Sequence, residues 1–146
     1  RGVVGDEAFR SGIREYYRLY RDENASTADF RRVMEEASGT ELGWFFDQWL
    51  LRGGMLKVGG RWRWDAAAKA LRLDLEQRQS QPPYRMPLEV AIDVGDESGP
   101  RIERVDLAER RQSFGIPLDR EPRSVVLDPR TLVLMDAELS RETGAR

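Results

Sequence analysis

The chain has 146 residues, 40% of them hydrophobic and 34% charged, and its 24 basic and 26 acidic side chains leave a net charge of -2. It contains neither histidine nor cysteine, which excludes disulfides, a thiolate nucleophile and a histidine triad and argues strongly against a zinc-dependent enzyme built by this chain alone. Interspersed, nearly balanced charge lacks the positive field that nucleic acid or an anionic membrane calls for.

No apolar run approaches the roughly 20 residues that span a bilayer, and no signal-peptide pattern stands at Arg1. A soluble chain is expected, with cytoplasmic and exported locations both open, because a lack of cysteine fits either. A chain of this size buries roughly 70% of the surface its unfolded form exposes. That is enough for one domain, or for a helical piece joined to a small second domain.

The first fifty residues carry a helical period. Between Asp6 and about Asp22, Phe9, Ile13, Tyr16, Tyr17 and Tyr20 share one face, with Asp6 and Glu7 in the first turn to complement the helix dipole. Ser26-x-x-Asp29, or Thr27, offers N-cap chemistry for a second helix that carries Phe30, Val33, Met34 and Ala37 and stops at Gly39. Thr40 is placed to cap a third, with Leu42, Phe45, Phe46, Trp49 and Leu50 at the same spacing. Short helices are marginal in water alone, so these aromatic faces need a partner surface.

After Gly53-Gly54 the period becomes two. Leu56, Val58, Gly60, Trp62 and Trp64 alternate with polar residues and glycine; so do Leu71, Leu73 and Leu75, running on into Gln77-Arg78-Gln79, and Leu88, Val90, Ile92 and Val94. Further strands are expected at Ile102–Leu107, Phe114–Leu118, Val125–Leu127 and Leu132–Met135. Short strands separated by turns such as Gln81-Pro82-Pro83 and Asp128-Pro129 predict an antiparallel β-sandwich. The fold class is therefore α+β: helices over 1–52, a sandwich over 53–137 and a frayed tail over 138–146.

No pattern of residues specifies a reaction. Glu35-Glu36 lies on the solvated face of the second helix, and Asp93, Asp96 and Glu97 lack the ordered ligand spacing of a calcium loop. In Arg61-Trp62-Arg63-Trp64 the period of two turns the tryptophans inward and the arginines out, against a base-stacking role. Ser11, Ser38, Ser80 and Ser113 have no histidine to act as base, and Lys57 and Lys69 sit in no recognisable Ser–Lys motif. Gly53-Gly54 and Gly59-Gly60 read as turns, not as a phosphate loop.

As a string the helical block says more. Gly5-Asp6-Glu7-Ala8-Phe9-Arg10-Ser11-Gly12-Ile13-Arg14-Glu15-Tyr16-Tyr17 is followed by Asn24-Ala25-Ser26-Thr27-Ala28-Asp29-Phe30, Met34-Glu35, Ala37-Ser38-Gly39 and Trp44-Phe45-Phe46-Asp47-Gln48-Trp49-Leu50. In order and spacing these words resemble the region after the active site in the alanyl-aminopeptidase family of zinc metallopeptidases, the gluzincin aminopeptidases. Trp62-Arg63-Trp64-Asp65, Gln77-Arg78-Gln79, Pro82-Pro83-Tyr84-Arg85-Met86-Pro87-Leu88, Phe114-Gly115-Ile116-Pro117 and Val126-Leu127-Asp128-Pro129 extend the resemblance. One departure is Gly53-Gly54-Met55-Leu56, where relatives usually carry a proline.

The resemblance implies the helical C-terminal part of a thermolysin-like catalytic domain, then an immunoglobulin-like sandwich. It also implies that the family's H-E-x-x-H zinc site, its exopeptidase motif and its transition-state tyrosine belong upstream. Tyr16, Tyr17 and Tyr20 follow that tyrosine's place and take a core or interface role. No catalytic or metal-binding residue is expected in this chain. Zinc and a peptide substrate belong to the parent enzyme, and the partner expected here is the upstream catalytic domain of the same polypeptide. The alternative is a non-catalytic scaffold or protein-interaction module of the same architecture. Excised from such a partner, the helices are expected to self-associate through the faces around Phe9, Tyr16, Phe46 and Trp49.

Overall fold

A computed structural model describes residues 1–142. They divide into a helical unit, Arg1–Gly53, and a β unit that begins at Gly54. The fold is mixed helix and sheet, with three helices followed by sheets of four and three strands.

In the helical unit, α1 spans Asp6–Tyr20 and α2 spans Thr27–Ser38. Ser26 caps α2: its hydroxyl accepts from the Asp29 N–H, and the Asp29 carboxylate accepts from the Ser26 N–H at 2.9 Å. This reciprocal box satisfies two amides that the first turn leaves without helical partners. Gly39 closes the helix with φ 63, a left-handed conformation that glycine adopts without a Cβ penalty. The two helices approach closely at Gly12, where an added Cβ would lie 2.5 Å from the Met34 sulfur.

The third helix differs from the expected Leu42–Leu50 span. Regular helix α3 covers only Gly43–Phe46, and a π-helical turn takes over at Asp47–Leu51. Thr40 does not cap it; Leu42 stands at the N-cap without a side-chain cap, and the free Leu42 N–H is taken by Glu35 Oε1 at 2.8 Å. Aromatic edges hold the unit together. Tyr16 meets Phe30 at 5.0 Å between ring centroids, Phe30 meets Phe46 at 6.1 Å, and both pairs are edge-on.

In the β unit, β1 is Leu56–Asp65, β2 Ala70–Gln77, β3 Met86–Asp93, β4 Arg101–Leu107, β5 Arg111–Pro117, β6 Ser124–Leu127 and β7 Met135–Arg141. The four-stranded sheet runs β5-β2-β1-β7 and the three-stranded sheet β4-β3-β6. Each central strand buries alternate residues: Leu71, Leu73 and Leu75 on β2, and Leu88, Val90 and Ile92 on β3, are 0–2% exposed. Fully burying such a side chain contributes about 1.5–3 kcal/mol. These buried faces supply the core of a sandwich-like arrangement.

Three expectations for this unit are corrected. The sheet is not wholly antiparallel, since β7 runs parallel to β1, with Leu56 opposite Met135 and Trp62 opposite Arg141. Parallel neighbours need a long crossover, which the whole chain between β1 and β7 provides. Gly59 and Gly60 are strand residues rather than a turn: a Cβ on Gly60 would lie 2.6 Å from Leu75 and 3.0 Å from Leu139.

The last strand is Met135–Arg141, not Leu132–Met135, so the tail expected to fray from 138 is paired through Arg141. The Asp128 carboxylate draws Leu132 and Val133 out of the sheet by accepting from their N–H groups at 2.8 and 2.9 Å. Residues 143–146 of that tail lie outside the described residues.

Candidate functional site

The outer face of the four-stranded sheet carries a concavity of about 410 Å³. Its shape follows from β1, where Gly59 has no side chain to stand between its neighbours Glu76 and Glu138. Arg78 fills that gap, and a Cβ on Gly59 would lie 2.0 Å from its guanidinium carbon. The guanidinium reaches Glu138 at 3.2 Å and Glu76 at 3.9 Å, while Arg111 pairs with Glu76 at 2.7 Å.

One row further along, Arg61 stands opposite Asp74 and Ser140, and the Ser113 hydroxyl donates to Asp74. Arg61 forms no ion pair among the described residues. The lining balances three arginines, Arg61, Arg78 and Arg111, against Asp74, Glu76 and Glu142. Exposed pairs of this kind each contribute about 0–1 kcal/mol. The face suits polar contact, and no imidazole stands beside its Ser113–Asp74 pair to act as a base.

The other singled-out residues are used locally. Glu35 holds the Leu42 amide, and Glu36 pairs with Arg32 at 3.1 Å. Asp93 accepts from the Gly95 N–H at 2.7 Å and Asp96 from the Ser98 N–H at 3.2 Å, so both shape the hairpin turn. Ser38 donates to the Met34 carbonyl at 2.7 Å. Lys69 occupies the β1–β2 turn with φ 47. Among the described residues no group of three or more carboxylates is placed to hold a metal ion, and the sequence supplies no imidazole or thiolate. The donor set of this chain therefore does not fit a zinc site.

Trp62 is buried, with the Arg141 guanidinium 5.1 Å from its ring centroid, and Arg61 and Arg63 are exposed. Tyr20 donates to Asp29 at 3.1 Å and accepts from Arg32 at 2.7 Å, while Tyr17 is 67% exposed. The hydrogen bonds of Ser26 and Tyr20 to the Asp29 carboxylate hold it below the usual carboxylate range. The helix faces expected to self-associate are half-covered at Phe9, Tyr16, Phe46 and Trp49. The exposed apolar side chains of this unit are Ile13, Tyr17, Leu19, Leu50 and Leu51.

In the β unit, sequence reading missed the buried amides Gln77 and Gln79 and the arginine that holds their segment. Arg110 donates to the carbonyls of Gln77 at 3.0 Å, Gln79, and Gln81 at 2.7 Å, holding the segment between β2 and β3. The available signal was the position of Gln77 and Gln79 on the same face of the strand as Leu71, Leu73 and Leu75.

No family model matches the chain, and no curated protein matches it. Among solved structures it is similar to Legionella pneumophila aminopeptidase A, crystallised in complex with aspartic acid. The TM-score is 0.73 at 15% identity, over 93% of this chain and 16% of that one. The chain therefore shares its fold with part of that structure and spans about one sixth of the length of that neighbour.

Proposed function

We propose that the chain is a piece of a zinc-dependent aminopeptidase, an enzyme that removes N-terminal residues from peptides. In this reading residues 1–52 are the helical C-terminal part of a thermolysin-like catalytic domain, and the β unit is its immunoglobulin-like sandwich. The piece supplies scaffold and leaves the catalytic centre to the rest of the polypeptide. The observation that carries the reading is the fold similarity to an aminopeptidase over 93% of this chain, joined to the Gly5–Leu50 string.

The reading frame before Arg1 provides the test. An H-E-x-x-H helix followed by a glutamate is expected there. A continuous frame of catalytic-domain length without those ligands would leave the non-catalytic scaffold in its place.

A further inference from the structure

Strand β7 keeps its place in the sheet with little of its surface covered; only Met135 and Leu139 are even partly shielded. Among the described residues it pairs with β1 alone, and its hold is concentrated at a few points. Leu139 closes on Gly60, where an added Cβ would lie 3.0 Å away. Arg141 stacks on Trp62 and pairs with Glu121, and Glu138 pairs with Arg78. The β1 edge is thus a seat shaped for one strand.

The chain reaches that seat through residues 128–134, which carry strain. Asp128 has φ 46 although it precedes a proline, a position pushed toward extended backbone. Thr131 has φ 53, an outlying conformation for a β-branched residue. Leu132 and Leu134 project from the same segment at 56% and 77% exposure. Fully extended, seven residues span about 23 Å.

We propose that the β1 edge is a strand-acceptor site for β7 of a second copy, so that two chains exchange β7 through residues 128–134. Every contact that seats β7 recurs between the chains, because seat and strand belong to the same sequence. The linker decides the balance. Straightening it relieves the positive φ at Asp128 and Thr131 while releasing the Asp128 bonds to the Leu132 and Val133 amides, and two linkers lying side by side offset that loss by covering Leu132 and Leu134. A rise in chain concentration then favours exchange. This inference does not depend on the aminopeptidase reading.

The absence of cysteine makes the test clean. Lys57 and Asp136 are exposed register partners on β1 and β7. The chain carrying both Lys57→Cys and Asp136→Cys is refolded at low and at high concentration and treated with a short bismaleimide. Interchain cross-links that increase with refolding concentration are expected, together with a dimer that persists on dilution. Thr131→Gly should lower the dimer fraction several-fold while preserving the intrachain cross-link. Intrachain cross-links alone at every concentration would overturn the proposal, as would a dimer whose cross-links are all intrachain. Equal interchain cross-linking by the two single-cysteine chains would do the same. Light scattering of the unaltered chain guards against misfolding of the variants, and a monomer after refolding at every concentration also refutes exchange.

Discussion

Gln77 and Tyr84 are joined by two hydrogen bonds that copy the pairing of neighbouring strands. The side-chain Nε2 of Gln77 donates to the Tyr84 carbonyl at 2.8 Å, and its Oε1 accepts from the Tyr84 N–H at 2.7 Å. Gln77 is 0% exposed and Tyr84 2%, so water cannot substitute for either bond. Gln79 adds a donor to the same Oε1 at 2.9 Å. The turn containing Pro82 and Pro83 is held by a side chain acting as backbone.

Replacing that side chain by an isosteric apolar one takes from the buried Tyr84 N–H and carbonyl the partner that Gln77 supplies, at about 1–3 kcal/mol each. Gln77→Leu is therefore expected to lower the stability of the β unit by about 2–6 kcal/mol, read as a fall in urea midpoint by circular dichroism. A loss below about 0.5 kcal/mol, the usual range for surface changes, would show that the pairing contributes little.

The paired glycines of β1 make opposite demands on their surroundings. Gly60 faces Leu75, the Asp74 carbonyl and Leu139, with backbone among the atoms a Cβ would meet. The three atoms nearest a Cβ on Gly59 all belong to the far end of Arg78, which can swing away. Gly60→Val should destabilise the β unit by about 1–3 kcal/mol through overpacking, and Gly59→Ala by distinctly less. Thermal unfolding of the two variants compares them directly, and an equal loss would contradict the difference in surroundings.

Acid should act on the helical unit through Asp29. A carboxyl whose folded-state pKa lies below its unfolded value holds a proton less readily when folded. The stability it contributes is complete above the unfolded carboxylate value of about 3.9 and disappears as pH falls through the lower folded value. The hydrogen bonds from Ser26 and Tyr20 set this direction. Asp29→Asn is expected to flatten the pH dependence of the helical signal below roughly pH 4. An unchanged acid profile would remove the capping box from the account.

Sequence carried the two-part organisation because period is a local property. Phe9, Tyr16 and Tyr20 mark a helix face, and Leu71, Leu73 and Leu75 mark a strand, whatever the rest of the chain does. Gly39 was legible as a stop for the same reason. Strand β7 was not. In Met-Asp-Ala-Glu-Leu-Ser-Arg the alternating apolar set is only Met135, Ala137 and Leu139, interleaved with Asp136, Glu138 and Ser140, and the pairing comes from the β1 edge and the space over Gly60. Leu132–Met135 has the better strand composition, yet a single carboxylate, Asp128, claims its amides. The groove over Gly59 depends on Arg78, Glu76 and Glu138 meeting across three strands, a register that sequence spacing does not contain.

The central proposal is that this chain is a scaffold piece of a zinc-dependent aminopeptidase. The measurement that tests it most directly is hydrolysis of aminoacyl chromogenic amides, with zinc content determined alongside. It compares the 146-residue chain with the same chain extended by its upstream sequence. The account predicts stoichiometric zinc and chelator-sensitive turnover in the extended chain, and neither in the shorter one. Turnover by the shorter chain, abolished by a chelator, would contradict it, as would an extended chain that folds yet neither binds zinc nor cleaves.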